Sequence, residues 1–283
     1  MKNKTCGKNV LLTASTALIA LGFSGATAFA AATASDTAGN YTGGLWSTTP
    51  PNNGTGFGAW SVNVQNNNNP PYAGTYLAGS GDTPIVDGSG NAWGVYANSA
   101  QGTTLPSVTF TRPFTAGPLS GSTSLFDQTF SFSISSGGVG PNQGLLSAAV
   151  GSAFLLEYNG LASGDNMFFG VDGATPQAIA VNFTQLNAGL NVSLAVNGAV
   201  NSPSENYTLT IASLSNSPLY TQSGTFDASS FNTSQFQFTD LNTTANGYFN
   251  SLNLSVESVP EPSSVAIFAM SGLGMLLAFR RKK

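Results

Sequence analysis

The second half of the sequence alternates apolar and polar residues with a period of two. In the run 129–134, T-F-S-F-S-I, every second residue is aromatic or aliphatic. Successive side chains of a β-strand point to opposite faces, so this pattern predicts half-buried strands. The same alternation recurs in seven further runs, Phe154–Tyr158, Met167–Val171, Ile179–Phe183, Val192–Val196, Tyr207–Ile211, Phe236–Phe238 and Leu252–Val256.

Turn-forming residues separate these runs about every 10–15 residues, which is typical of an all-β sandwich or barrel. The clusters are 135–138, Asn159-Gly160, Asp172-Gly173, Asn197-Gly198 and Asn246-Gly247. The sequence therefore predicts an antiparallel β-sandwich over residues 40–258. Residues 31–39 are small and are predicted to form a flexible leader, and 144–149 is the best candidate for a short helical turn.

Both ends of the chain carry targeting features. Three lysines precede the apolar stretch Val10–Gly25, and Ala28-Phe29-Ala30 forms an A-x-A cleavage site. This order predicts a secretory signal peptide over residues 1–30, handled by the Sec machinery and removed by signal peptidase. The mature chain is then expected to start at Ala31.

The C-terminus, residues 259–283, has three parts in succession. Val259, Pro260, Glu261 and Pro262 come first, an uncharged and mostly apolar run over 263–279 follows, and four basic residues over 280–283 end the chain. Seventeen residues span roughly 25 Å as a helix, so the run predicts a transmembrane helix with its basic tail in the cytoplasm. A permanent, uncleaved membrane anchor is one interpretation of this segment.

Composition excludes several functions of the mature body. Residues 31–258 contain eleven acidic residues and one basic residue, Arg112, for a net charge of −10, and they contain no lysine, histidine or cysteine. Nucleic-acid binding requires a basic surface, so it is excluded. Histidine-based catalysis, zinc sites with histidine or cysteine ligands, and disulfides are excluded because their residues are absent.

Aromatic residues in the first half of the body suggest carbohydrate binding. Trp46, Tyr72 and Tyr76 lie among turn residues and are predicted to be exposed, where their rings can pack on sugars. Trp60 and Trp93 lie in alternating runs and are predicted to be in the core.

Oxygen-bearing side chains suggest a calcium site as the one candidate cofactor site. Asp82, Asp87 and Asn91 lie in a glycine-rich loop and offer the oxygen ligands that calcium prefers. The alternative is a set of ordinary turns, since Asp-Gly and Gly-Asp pairs are common there.

Glycoside hydrolysis requires two carboxylates that lie close together. On a strand they are expected two or four residues apart, but the acid that follows Glu157 is Asp165. We therefore expect a protein that is not an enzyme, with a glycan-acting hydrolase as the alternative.

The C-terminal segment resembles the PEP-CTERM sorting signal of Gram-negative bacteria. The resemblance rests on Val259, Pro260, Glu261 and Pro262, on the short apolar run, and on Arg280 and Arg281. It implies processing by an exosortase, a membrane-embedded cysteine transpeptidase that removes the helix and the basic tail. The precursor would reside in the inner membrane and the body would reach the cell surface or the extracellular matrix.

The body resembles the concanavalin A-like, jelly-roll lectin sandwiches found in some proteins with this signal. The segments that carry the resemblance are 54–60 (G-T-G-F-G-A-W), 92–98 (A-W-G-V-Y-A-N) and 130–134 (F-S-F-S-I). It implies an exported protein that associates with exopolysaccharide in a biofilm and binds carbohydrate. The alternatives are a secreted hydrolase on the same fold and an uncleaved, membrane-anchored structural protein.

Overall fold

The computed structural model describes residues 32–42, 46–47, 49–65, 73–98, 105–114, 125–137, 144–160, 165–199, 204–227, 235–241 and 246–258. These residues form fifteen strands, one 3-10 helix (Ala38–Tyr41) and one short α-helix, α1 (Phe183–Asn187). The strands are β1 Ala32–Asp36, β2 Ser61–Gln65, β3 Ala73–Gly79, β4 Asn91–Ala97, β5 Ser107–Pro113, β6 Leu125–Ser135, β7 Leu145–Val150, β8 Phe154–Asn159, β9 Asn166–Val171, β10 Gln177–Asn182, β11 Leu190–Ala199, β12 Glu205–Ser213, β13 Pro218–Phe226, β14 Gln235–Leu241 and β15 Asn246–Ser258.

The strands form two antiparallel sheets. The eight-stranded sheet has the order β13-β12-β11-β6-β15-β4-β3, with β1 also paired to β15, and the seven-stranded sheet has the order β10-β9-β8-β7-β14-β5-β2. The predicted all-β antiparallel sandwich is confirmed. The predicted signal helix and C-terminal transmembrane helix lie outside the described residues.

Aromatic side chains from both sheets fill the space between them. Phe238 of the seven-stranded sheet stacks on Phe249 of the eight-stranded sheet, with ring centroids 4.5 Å apart. Trp60 and Trp93 are buried in the same cluster, as the alternation around them predicted, and their ring centroids are 5.4 Å apart. Such aromatic pairs contribute about 0.5–1.5 kcal/mol each beyond the area they bury.

The last strand, β15, lies in the middle of the eight-stranded sheet. It pairs with β6 on one side, and on the other side with β4 over its first half and with β1 over its second half. A bulge separates the two halves, and Ser251 there has a φ of 55°. The buried Asn250 side chain stabilises the bulge, because its amide nitrogen donates to the carbonyls of Ile85 and Asn91 and its oxygen accepts from the amide of Ala38.

The leader was predicted to be flexible over residues 31–39, and this is wrong for the part that the structure describes. β1 pairs with β15 in continuous register from Ala32 to Asp36, and the 3-10 helix follows it. The physical reason is Asp36, which is buried and accepts hydrogen bonds from the side chains of Asn40 and Tyr41.

Three local predictions are also wrong. Asn197-Gly198 continues β11, Asn246-Gly247 begins β15, and residues 145–149 belong to strand β7 rather than to a helical turn. In each case pairing with neighbouring strands overrides the local preference. The turn predicted at Asp172-Gly173 is confirmed, and both residues have a positive φ.

One buried ion pair joins the two sheets. Arg112 projects inward from β5 of the seven-stranded sheet and forms a 3.2 Å ion pair with Asp36 at the end of β1 in the eight-stranded sheet. Its guanidinium also donates to Tyr41 Oη and to Asn52 Oδ1 and lies 5.0 Å from the ring centroid of Trp60. Neither charged side chain is exposed to solvent.

Replacing Arg112 with methionine (Arg112→Met) should destabilise the processed protein by about 3–5 kcal/mol, because the Asp36 carboxylate is left buried without its cation. The free energy of unfolding in urea measures this loss. Arg112→Met combined with Asp36→Asn should recover part of it, since no buried charge then remains. A loss below about 1 kcal/mol for the single variant would show that the pair is not important for stability.

Candidate functional site

The three aromatic residues predicted to bind carbohydrate have different positions in the structure. Trp46 is 5 % exposed and stacks on Phe110 with ring centroids 5.0 Å apart, so its predicted exposure is wrong. The reason is that its indole packs between the two sheets, against Phe110 and Trp60. Tyr72 lies outside the described residues. Tyr76 is partly exposed and lies on the outer face of β3.

Tyr76 belongs to a group of three tyrosines on the outer face of the eight-stranded sheet. Tyr76, Tyr96 and Tyr248, called the tyrosine patch below, come from β3, β4 and β15. The Tyr76 ring centroid lies 6.3 Å from that of Tyr96 and 6.2 Å from that of Tyr248. Tyr76 and Tyr96 keep part of their surface exposed, whereas Tyr248 is buried beneath them.

Glycines on the paired strand make room for these rings. In the β3–β4 register Tyr76 lies opposite Gly94, and Tyr96 lies opposite Gly74. A β-carbon at Gly94 would lie 2.8 Å from the Tyr76 ring, and one at Gly74 would lie 2.5 Å from Tyr96 Oη. The rings can therefore lie across the neighbouring strand. The tyrosine–glycine spacing in G-T-Y and G-V-Y is the sequence signal that could have grouped Tyr96 with Tyr76.

The hydroxyl of Tyr76 is neutral at physiological pH. Burial, and secondarily the hydrogen bond to Tyr248, raises the pKa of Tyr76 far above the usual value of 10.0. Tyr76 Oη donates to Tyr248 Oη at 2.9 Å, and the side-chain amide of Asn246 donates to the same oxygen at 3.3 Å. The patch thus combines two partly exposed ring faces with hydroxyl and amide groups.

The β3–β4 loop lies next to the patch and contains Asp82 and Asp87 of the predicted calcium site, and Asn91 is the first residue of β4. Asp82 accepts from the backbone amide of Gly79, and Asp87 accepts from the backbone amides of Gly39, Ser89 and Asn91. Burial raises the pKa of Asp87, but hydrogen bonds from Ser89 and these backbone amides outweigh it and hold the pKa below its usual value.

These contacts are those of a hydrogen-bonded turn. Within the described ranges, no group of three or more His, Cys, Asp or Glu side chains is arranged to hold a metal ion. Calcium binding by Asp82, Asp87 and Asn91 stays a prediction.

A second polar surface covers the outer face of the seven-stranded sheet. One row of paired residues crosses six strands there, and its members are Asn63, Thr109, Thr239, Ser147, Glu157 and Phe168. Among the described outward residues of this sheet, Glu157 is the only carboxylate. Glycosidase chemistry needs a second carboxylate about 5–9 Å away, and the described strands of this face do not supply it.

Burial raises the pKa of Glu157 above its usual value of 4.5. The folded state therefore favours the protonated carboxyl. The stability that this carboxyl contributes at low pH is lost as the pH rises through its folded pKa. Glu157→Gln should raise the melting temperature at pH 7 and have little effect near pH 3. Thermal unfolding at both pH values measures this. Gln237→Glu, which adds a carboxyl to the same outer face, is the control and should change the melting temperature at pH 7 in the opposite direction. A Glu157→Gln variant that is less stable at pH 7 would contradict a raised pKa of Glu157.

The residues that match a known family lie at the C-terminus. Residues 258–283 match the PEP-CTERM protein-sorting motif, which is about a tenth of the chain. No curated protein matches the sequence.

Several solved structures match the chain at low identity. A lectin from Bauhinia forficata in complex with GalNAc is 10 % identical, with 80 % of this chain and 99 % of that chain covered and a TM-score of 0.41. The CBM2 module of the evolved Dit of Lactobacillus casei BL23 phage J-1 is 9 % identical, with 81 % and 99 % covered and a TM-score of 0.43. The catalytic domain of a glycoside hydrolase family 131 protein from Coprinopsis cinerea is 13 % identical, with 74 % and 86 % covered and a TM-score of 0.44. At this distance no ligand and no reaction is transferred from them.

The helices in the described part of the chain are too short or too polar to cross a membrane. The apolar run at 263–279 lies outside that part. The sorting motif, however, identifies the route of the protein: this chain carries a PEP-CTERM signal, which implies an exported protein that an exosortase processes at the membrane.

Proposed function

We propose that the body is a non-enzymatic carbohydrate-binding domain that holds extracellular polysaccharide through the tyrosine patch. The observation that supports it is the pair of partly exposed rings of Tyr76 and Tyr96, side by side on the outer sheet face. Isolated exposed aromatic residues are common, but here Tyr76 is hydrogen-bonded to Tyr248 and Tyr96 lies over Gly74, so the two adjacent rings form a pre-organised surface.

The patch offers both kinds of contact that a sugar requires. The C–H faces of a pyranose ring are apolar and can pack on the two tyrosine rings. The sugar hydroxyls can exchange hydrogen bonds with the tyrosine hydroxyls, with Asn246 and with the Asp82 carboxylate at the adjacent loop. Because the rings are already fixed, little conformational entropy is lost on binding.

The net charge of the body limits which class of polysaccharide it can bind. A net charge of −10 over residues 31–258 repels acidic polymers at low ionic strength. We therefore expect the ligand to be neutral or weakly charged. Binding to an acidic polysaccharide would require added salt, or calcium bridging through carboxylates such as Asp82.

The sorting signal sets where this binding takes place. Exosortase processing would release the body from the inner membrane to the cell surface or the extracellular matrix. There the domain would associate with exopolysaccharide and contribute to the cohesion of a biofilm. This assignment rests on the sorting motif together with the patch.

Removing either exposed ring should weaken polysaccharide binding. Tyr76→Ala and Tyr96→Ala are each expected to raise the dissociation constant roughly 5- to 30-fold, as expected for the loss of about 1–2 kcal/mol of ring contact. Binding of the processed protein to exopolysaccharide from the producing bacterium can be measured by depletion from solution. Phe168→Ala is the matched control, because Phe168 is also partly exposed but lies on the outer face of the seven-stranded sheet, away from the patch.

The result that would overturn the proposal is equal weakening by Phe168→Ala, or no binding by the unmodified protein. The release of new reducing ends from the polysaccharide would instead favour the hydrolase alternative. Glu157→Gln tests that alternative directly, because a reaction that uses this carboxylate should stop while binding persists.

A further inference from the structure

Among the described residues, the eight-stranded sheet ends at a long strand that is hydrogen-bonded to another strand on one side only. β13 pairs with β12 in unbroken register from Glu205↔Phe226 to Ile211↔Tyr220, and it is the terminal strand of the sheet. The side chains of Thr221, Ser223 and Thr225 point outward and are exposed. A terminal strand presents unpaired backbone N–H and C=O groups, which favour pairing with another strand.

β13 carries few of the features that normally block an edge strand, and its one register irregularity lies at its start, between Ile211↔Tyr220 and Ala212↔Pro218. Its sequence, P-L-Y-T-Q-S-G-T-F, contains no charged residue, and its one proline is its first residue. The edge strands at the other sheet ends are shorter: β2 has five residues, β10 has six with an irregular register, and β3 has seven. Among the described edges, β13 is therefore the longest one open to pairing.

We propose that β13 pairs antiparallel with β13 of a second copy of this chain and joins the two eight-stranded sheets into one. A twofold axis at Gln222 would place Thr221 opposite Ser223 of the second copy. A closed twofold contact of this kind uses the same surface on both partners and ends at two copies.

The surface chemistry of the sheet is continuous across such a junction. On the outer face, Ser131, Ser193, Thr210 and Thr221 form one row of paired residues that ends at β13. A second row, which includes Thr208 and Ser223, ends two residues further along β13. The hydroxyls of Thr208 and Ser223 lie 2.9 Å apart. In the twofold arrangement the first row of one copy continues into the second row of the other. Hydroxyl pairs across antiparallel strands contribute to sheet stability.

The outer face of the sheet beside β13 is uncharged. The described outward residues of β11, β12 and β13 carry no charge, although the body as a whole carries −10. Pairing at β13 therefore brings no like charges of these strands into contact. The overall repulsion between the two bodies remains, so added salt should strengthen the dimer rather than weaken it.

A dimer would also explain how a single small domain can hold a polymer network together. Each copy contributes one tyrosine patch, and two patches on one particle can bind two polysaccharide chains at once. This consequence rests on the proposed function, whereas the pairing of β13 does not.

The test is sedimentation of the processed protein over a range of concentrations at low and high salt. The unmodified protein should form a dimer that is tighter at high salt. Lysines at the edge, Thr221→Lys with Ser223→Lys, should raise the dimer dissociation constant at least about tenfold. The matched control is Ala195→Lys with Asn197→Lys, which adds the same charge to exposed positions of β11, two strands away from the edge.

A protein that stays monomeric at all concentrations, or a dimer that the edge lysines and the control lysines affect equally, would overturn the proposal. Binding of the unmodified protein and the edge variant to polysaccharide separates the two proposals. If both bind equally well per chain but only the unmodified protein cross-links the polymer, both proposals hold. If neither binds and the dimer still depends on β13, only the proposed function fails.

Discussion

The buried ion pair between Arg112 and Asp36 is the interaction on which the rest of the structure depends. Arg112 is the only basic residue between Lys8 and Arg280, and it is fully buried between the sheets. A buried charge without a partner is very costly, so the chain can place arginine there only if Asp36 is brought to it. That requirement orders the N-terminal segment, because β1, the 3-10 helix and Trp60 all meet at the Asp36 carboxylate. Burial and the Asp36 hydrogen bond raise the pKa of Tyr41 to about 12, so its hydroxyl stays neutral within this cluster.

The order of the strands determines where the sorting signal lies relative to the completed sheet. The first strand, β1, and the last strand, β15, pair with each other, and β15 occupies the middle of its sheet. The sheet therefore cannot be completed until both ends of the body are available, and long-range pairing of this kind is slow to form. The sorting motif begins at Ser258, the last residue of β15, so the sorting signal follows the finished sheet directly in sequence.

The parts of the fold that could be predicted are those set by local alternation. The period-two runs predicted the strands around Phe130, Tyr158 and Leu209, and they placed Trp60 and Trp93 in the core. The errors have a common cause, which is contact between residues far apart in sequence. Trp46 lies among turn residues but packs on Phe110, and Asp36 lies in a stretch of small residues but pairs with Arg112. Of the candidate site, Tyr76 was predicted from sequence, while grouping it with Tyr96 and Tyr248 required the strand register.

The central claim is that the ring faces of Tyr76 and Tyr96 bind extracellular polysaccharide. The most direct measurement is an NMR titration of the processed protein with its tyrosine rings labelled with carbon-13, while exopolysaccharide is added. The eight tyrosines of the chain give few signals, and single tyrosine-to-phenylalanine variants assign them. The account predicts that the ring signals of Tyr76 and Tyr96 shift or broaden, while those of the buried Tyr41 and Tyr158 stay unchanged. Saturable binding that leaves the Tyr76 and Tyr96 signals unaffected would contradict it and would place the polysaccharide on another face of the sandwich.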